Sequence, residues 1–312
     1  MRILVLGATG YLGTHVAEQL RVRPDARVLV GGRSPAADVT VDLAADRPQD
    51  LAEALAEAAP DAVVNCAGAT GGDAATLAEV NARGPAVLCA ALRKAAPGAR
   101  LVHLGSAAEY GPTEPGVRVT ESAPTRPAGP YGATKLAGTV AVTASGLDAV
   151  VLRVGNPVGP GAPPTGLPGR VAALLAASFG DDGDDPEAVL RLGDLSARRD
   201  FVDVRDVARA ARLAVTAEGP LPSVLNVGGG EARPVRELVR ALADAAGFRG
   251  RIVEEEDGGS ARSAQVSWQC SDITAAGDAL GWKPAHPLDA SVAALWAATG
   301  RRAGPAAGVA AR

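Results

Sequence analysis

Arg2-Ile3-Leu4-Val5-Leu6-Gly7-Ala8-Thr9-Gly10-Tyr11-Leu12-Gly13 decides the fold. The apolar run that ends at Leu6 reads as a short strand buried in a parallel sheet. It stops at a glycine-spaced turn, and a helical pattern follows through Leu20. Strand, glycine turn and helix in that order is the context in which a Gly-rich motif binds a dinucleotide. Glycines permit the tight turn and close backbone approach, and the helix N-terminus offers free N–H groups to a pyrophosphate. The Gly-x-x-Gly-x-x-Gly spacing departs from Gly-x-Gly-x-x-Gly, but its place directly after the first strand favours the same use. The cofactor candidates here are Gly7, Thr9, Gly10, Tyr11, Leu12 and Gly13; the bland alternative is an ordinary glycine-rich turn.

Outward from that stretch the pattern repeats. A second strand, Arg27–Val30, ends in Gly31-Gly32-Arg33-Ser34. An acid at this strand end binds the ribose 2′-OH of NAD, whereas an Arg nearby accommodates the 2′-phosphate of NADP. No acid stands there, so Arg33 and Ser34 point to NADP, with NAD as the other option. Residues 39–43 read as a third strand presenting Asp42 and Leu43 to the adenine edge, or with Asp42 capping the next helix. A helix over 49–59, a strand over 61–65, small residues at Cys66-Ala67-Gly68, a long helix over 74–96 carrying Asn81, and a strand over 100–104 follow. Ala67 and Gly68 are small enough for close approach to a cofactor. Five such units predict an α/β fold, a Rossmann-type doubly wound parallel sheet with ligand at the strand C-termini.

The chain has 312 residues, 47% hydrophobic and 21% charged, which is ordinary for a globular protein. A net charge of −4 offers no electrostatic footprint for nucleic acid or an anionic membrane. Cys66, Cys89 and Cys270 are few, odd in number and without Cys-x-x-Cys spacing, which fits reduced thiols in a cytoplasmic protein. The apolar start breaks at Gly7, too short for a signal peptide, and no apolar run reaches membrane-spanning length.

Beyond the fifth strand the chemistry concentrates. Ser106 stands at a strand C-terminal end, and its hydroxyl can donate to and accept from a reacting oxygen. Pro130-Tyr131-Gly132-Ala133-Thr134-Lys135 places a phenol and an ammonium four residues apart, on one helix face. The ammonium's field favours the phenolate, which suits Tyr131 to proton exchange in a C–OH/C=O interconversion.

Taken together, these motifs resemble those of the extended short-chain dehydrogenase/reductase family, in its nucleotide-sugar epimerase, dehydratase and ketoreductase branch. The resemblance rests on Gly7-x-x-Gly10-x-x-Gly13, Asp42-Leu43, Asn65-Cys66-Ala67-Gly68, Asn81, Ser106 with Tyr110-Gly111, and Tyr131-x-x-x-Lys135. It continues through Leu152-Arg153-x-x-Asn156-Pro157-Val158-Gly159-Pro160, Arg199-Asp200-Phe201-Val202-Asp203-Val204, Asn226-Val227-Gly228 and Leu280-Gly281-Trp282-Lys283-Pro284. The resemblance implies that Ser106, Tyr131 and Lys135 are catalytic, with Tyr131 the acid/base and Lys135 also holding the nicotinamide ribose. Pro157 joins the cofactor set. Asn156, Arg199 and Arg262 would face the substrate diphosphate, together with Ser106 at the substrate oxygen; a guanidinium binds phosphate bidentately. The 4,6-dehydratases of the family carry Thr-Asp-Glu where Ser106-Ala107-Ala108 stands here, so dehydration is excluded.

The domain expectation is a dinucleotide-binding domain over 1–157, to which 200–228 returns, a substrate-binding cap over 158–199 and 229–299, and a frayed tail over 300–312. Helices are expected over 171–179, 202–218, 233–246, 272–280 and 288–298, and strands over 224–227 and 251–254. Asp181-Asp182-Gly183-Asp184-Asp185 lacks calcium-loop spacing and reads as a solvated turn, and Trp268, Trp282 and Trp296 read as packing residues. The expected function is NADPH-dependent reduction of a keto group on a nucleotide-activated deoxysugar. The alternatives are a nucleotide-sugar epimerase with transient oxidation by bound NAD(P), and a non-catalytic NADP-binding sensor. The expected partners are a small-molecule substrate and a second copy of the chain in a homodimer, with no nucleic acid and no membrane; the resemblance implies a dimer contact through the helix after Lys135, which here is short and has Thr139 where the family often has Glu.

Overall fold

The structure, a computed structural model, describes residues 1–179, 187–255 and 266–300. The chain begins β1 (Arg2–Leu6), α1 (Tyr11–Arg21), β2 (Arg27–Gly32), β3 (Val39–Thr40), α2 (Pro48–Ala58), β4 (Ala62–Asn65), α3 (Ala74–Ala78) and α4 (Gly84–Ala95). It continues β5 (Arg100–Ser106), α5 (Pro130–Thr143), β6 (Ala149–Val154), β7 (Asn156–Val158), α6 (Leu167–Ser178), β8 (Val189–Leu192), β9 (Arg198–Asp203) and α7 (Val204–Thr216). Last come β10 (Val224–Val227), β11 (Ala232–Pro234), α8 (Val235–Ala246), β12 (Arg251–Glu254), α9 (Thr274–Leu280) and α10 (Leu288–Ala297).

Seven strands form one sheet in the order β3-β2-β1-β4-β5-β6-β10, every neighbour pair parallel. Successive side chains of a strand point to opposite faces. Ile3 and Val5 therefore join a core with α1 and α7, while Leu4 and Leu6 join one with α2 and α4. Burial on both faces explains why β1 is apolar throughout. The strand order reverses between β1 and β4, and a doubly wound sheet opens its ligand crevice at the C-terminal ends of such a pair.

Past β6, Gly155 lets the chain leave the sheet, and β7 pairs with β9 in a second, three-stranded sheet. A separate core gathers Val158, Leu175, Leu192, Leu238, Val292 and Trp296 from α6, α8, α10 and the short strands. The chain returns to the large sheet at β10, which lies beside β6.

Several elements depart from the sequence expectation. The strand expected over 39–43 ends at Thr40, because Asp42 enters a turn: its Oδ1 accepts from Ala44 N at 3.0 Å, and its N–H donates to Asp46 at 2.8 Å. The long helix expected over 74–96 is divided by a wider turn at Glu79–Arg83. Pro85 has no N–H to give the Asn81 carbonyl, and Gly138 of α5 packs against that oxygen. The helix expected from 202 begins at Val204, since 198–203 form β9; Asp203 caps α7 by accepting from Arg205 N at 2.8 Å. Likewise residues 232–234 pair with β9 before α8 begins. Arg262, Asp181–Asp185 and residues 301–312 lie outside the described residues.

Candidate active site

The ends of β1 and β4 meet as bare backbone. Gly7 has φ +72°, and its N–H donates to Gly31 O at 3.1 Å. A Cβ on Gly7 would stand 2.8 Å from Ala67 N, and one on Gly13 would run into the Gly7 carbonyl oxygen. Gly10 caps α1 without a side-chain hydrogen bond, and the first turn carries no acid. The N–H groups at that helix end therefore remain open to an anion, which fits a dinucleotide pyrophosphate.

Around this cradle the other cofactor candidates take different positions. Thr9 is exposed at the rim and Leu12 packs against the core beneath. Tyr11 turns the other way: its hydroxyl donates to Gly159 O at 3.4 Å, and burial together with the Asp203 charge holds its phenol above the usual range. Arg33 and Ser34 lie exposed past β2, with Ser34 Oγ accepting from Ala36 N at 3.2 Å. Asp42 is half-buried and Leu43 buried, and Arg83 donates to the Leu43 carbonyl at 3.1 Å. Ala67 N donates to Asn65 Oδ1 at 3.1 Å, and Pro157 is half-buried in β7 opposite Val202.

Next along the crevice come the three proposed reactive side chains. Ser106 ends β5 and caps a single turn, Ala107–Glu109, its Oγ accepting from Ala108 N at 3.2 Å. Gly132 of α5 packs directly on this turn: a Cβ there would lie 2.5 Å from Ala108 O. The first turn of α5, with half-buried Tyr131, is thereby pressed against the Ser106 turn. One helical turn on, buried Lys135 donates from Nζ to Leu104 O at 2.6 Å and lies 3.8 Å from where a Gly68 side chain would begin. Burial pushes the Lys135 ammonium down to about 8, against the opposing pull of the Glu109 charge. Asn81 clamps the loop after β4 to α5: it accepts from Ala69 N at 2.9 Å and donates to Ala69 O at 2.8 Å and Thr134 Oγ1 at 3.3 Å.

On the side of the second sheet, Asn156 Nδ2 donates to Asp200 O at 3.2 Å and to Gln269 Oε1 at 2.7 Å. With both amide hydrogens engaged inside the protein, Asn156 has its Oδ1 left for a ligand. That oxygen can accept from a hydroxyl or N–H. Arg199 is buried and donates to Arg198 O at 2.9 Å. Asp200 is buried too, accepting from Gly229 N at 2.6 Å, Gly230 N at 3.0 Å and Ser271 N at 2.9 Å; burial raises its carboxyl to about 6. Trp282 and Trp296 are buried, and Trp268 Nε1 donates to Val117 O at 3.0 Å.

A buried polar chain behind Ser106 escaped the sequence reading. Ser106 N donates to Glu109 Oε1 at 2.7 Å, and Arg153 Nε donates to Glu109 Oε2 at 2.8 Å. Arg153 also donates to Tyr110 OH at 2.9 Å, and that hydroxyl donates to Asn226 Oδ1 at 2.7 Å. One local signal was available: a Glu three residues after a capping Ser is the spacing of a capping box.

Comparison with known proteins agrees with this geometry. The model of the NAD dependent epimerase/dehydratase family matches residues 3–228. A dTDP-6-deoxy-L-talose 4-dehydrogenase (NAD(P)(+)) of Kitasatospora kifunensis is 37% identical over 309 residues, 95% of each chain. A GDP-6-deoxy-D-mannose reductase of Pseudomonas aeruginosa is 28% identical over 306 residues, 94% of this chain and 95% of that one. Among solved structures, RMD from Pseudomonas aeruginosa complexed with NADPH superposes with a TM-score of 0.81 at 27% identity, covering 95% of this chain and 98% of that one.

Proposed function

This chain is an enzyme of the NAD dependent epimerase/dehydratase family, and from that premise we propose that it reduces a keto group on a nucleotide-activated deoxysugar, with NADPH as the preferred cofactor. One observation carries the reading. Lys135 is buried between Leu104 O and Gly68, one turn from a tyrosine whose helix is pressed on the Ser106 turn. Similarity along nearly the whole chain to a nucleotide-sugar 4-dehydrogenase and a nucleotide-sugar reductase supports the substrate class.

Residues divide the work as follows. The N–H groups at the start of α1, with Gly7, Gly10 and Gly13 keeping the surface open, hold the pyrophosphate. Arg33 and Ser34 sit at the 2′-phosphate, which favours NADP over NAD. Asp42 and Leu43 border the adenine, and Ala67, Gly68 and Pro157 border the nicotinamide half. A bound nicotinamide dinucleotide supplies the hydride exchange. Ser106 and Tyr131 hydrogen-bond the substrate oxygen, Tyr131 gives that oxygen its proton, and Lys135 keeps the phenol and the ribose in place. Arg199 neutralises the diphosphate, while Asn156 Oδ1 accepts from a hydroxyl or base N–H. The expected cap, 158–199 and 229–299, contributes Arg199, and Asn156 comes from the end of the expected dinucleotide-binding domain, 1–157.

The test is turnover of a dTDP-4-keto-6-deoxysugar with NADPH by the Tyr131→Phe enzyme. The expected loss is about 10²–10⁴-fold in kcat, with NADPH affinity within a few fold. Turnover surviving within a few fold would leave only a nucleotide-binding protein. Stoichiometry separates the epimerase reading, which the family also contains. One NADPH consumed per product supports reduction, and cofactor-neutral turnover replaces it with epimerisation.

We also propose a homodimer through α4 and α5. These helices pack side by side, and their outer face exposes Ala86, Ala90, Ala137 and Val140, the last 55% exposed. Light scattering should give twice the chain mass, falling to the single-chain mass in Val140→Glu. A single-chain mass for the unaltered protein would refute this.

A further inference from the structure

We infer that Glu109 is a positioning residue of this site: its carboxylate braces the Ser106 end of β5 and stands as counter-charge to the Lys135 ammonium across residues 104–106. The inference rests on the reading of Ser106, Tyr131 and Lys135 as the reacting groups. Two contacts bracket the same short piece of β5. Lys135 Nζ holds Leu104 O at 2.6 Å, and Glu109 Oε1 holds Ser106 N at 2.7 Å. Between them Gly105 leaves room for the carboxylate: a Cβ there would be 2.7 Å from Val151 Cγ1, 2.8 Å from Glu109 Oε1 and 3.4 Å from Thr139 Oγ1. A side chain at 105 would push against Glu109 Oε1, and its absence lets the carboxylate reach Ser106 N.

Glu109 is itself fully buried, and its second oxygen is held by Arg153 Nε at 2.8 Å. A carboxylate buried and gripped at both oxygens does not swing away, so its field at Lys135 is constant. The other titratable groups facing Lys135 are Cys66 at the end of β4, His103 on β5 and Tyr131 on α5. Burial pushes the Cys66 thiol up to about 12 and the His103 imidazole well below its usual value, so both are neutral near pH 7. That leaves Glu109 as the carboxylate among the described groups at Lys135. Burial alone drives the lysine toward the neutral amine, and the Glu109 charge opposes it. The sign follows: without that charge, Lys135 loses its proton at a lower pH.

The chain has three lysines, Lys94, Lys135 and Lys283, and the other two are exposed, so lysine side-chain NMR resolves the buried one directly. In the unaltered protein labelled at lysine Cε, Lys135 should titrate near 8. Glu109→Gln keeps an oxygen for Ser106 N but removes the charge, and should lower the midpoint by about one pH unit. Glu109→Asp keeps the charge but not the reach. It should leave the midpoint within a few tenths of a unit while lowering kcat more than it changes KM. If Glu109→Gln does not fold, Glu109→Gln with Arg153→Met removes both buried charges and should still lower the midpoint, by less than the single variant because the repelling Arg153 cation is gone too. An unmoved midpoint in the folded variant overturns the inference. A moved midpoint in a protein that turns over no keto-sugar keeps the electrostatic pairing and removes the proposed activity.

Discussion

The two ends of the crevice are built by opposite means. At β1 and β4 the chain omits side chains: Gly7, Gly13 and Ala67 bring backbone against backbone. At β5, β6 and β10 it buries polar ones: Glu109, Arg153, Tyr110 and Asn226 form a continuous hydrogen-bonded chain, with the Arg153 guanidinium 4.6 Å above the Tyr110 ring. The first end works by leaving room and N–H groups for a ligand's charge. The second works by compensation, since each buried charge is tolerable only while its partner stays. The contrast teaches that one site can be damaged by adding an atom at one end and by removing a charge at the other.

The largest expected effect comes from breaking that compensation. Arg153→Met leaves the Glu109 carboxyl buried without its guanidinium partner, and should cost about 3–5 kcal/mol in urea unfolding. Adding Glu109→Gln to it should restore most of the loss, because the orphaned charge is gone. A single variant within about 1 kcal/mol of the parent would mean that water reaches Glu109 and the two ends are not so different.

An added atom at the other end comes next. Gly13→Ala drives a Cβ into the Gly7 carbonyl oxygen, and should cost about 1–3 kcal/mol while weakening NADPH binding by displacing the turn. Unchanged NADPH titration would show that the cradle is not where the cofactor lies. The smallest effect sharpens the comparison at its solvent edge. Exposed Arg33→Ala should weaken NADPH roughly three- to tenfold, and NADH hardly at all. Equal losses for both cofactors would remove Arg33 from the 2′-phosphate.

How much of this was legible differs between the ends for the same reason. The cradle is written in adjacent residues, Gly7 to Gly13, each with a local backbone meaning, and its strand and helix show by apolar period. The same holds for Tyr131 and Lys135, placed on one face by helical spacing alone. The chain behind Ser106 is not local. Glu109 and Arg153 are 44 residues apart, and Tyr110 and Asn226 are 116 apart. A charged residue in sequence reads first as solvated surface, and only strand pairing brings these groups together out of water. Asn156 shows the same limit: its hydrogen bond to Gln269, 113 residues away, has no local signal.

The order of residues therefore determined by itself the doubly wound sheet, the glycine cradle and the tyrosine–lysine helix face. These depend on φ/ψ preference and on the periods of strand and helix, which operate within a few residues. Only the tertiary structure decided the three-residue strands β7 and β11, the wide turn at Asn81 and the charge that faces Lys135. Those depend on which distant groups share a low-dielectric space, and desolvation has no meaning until the chain has closed around them.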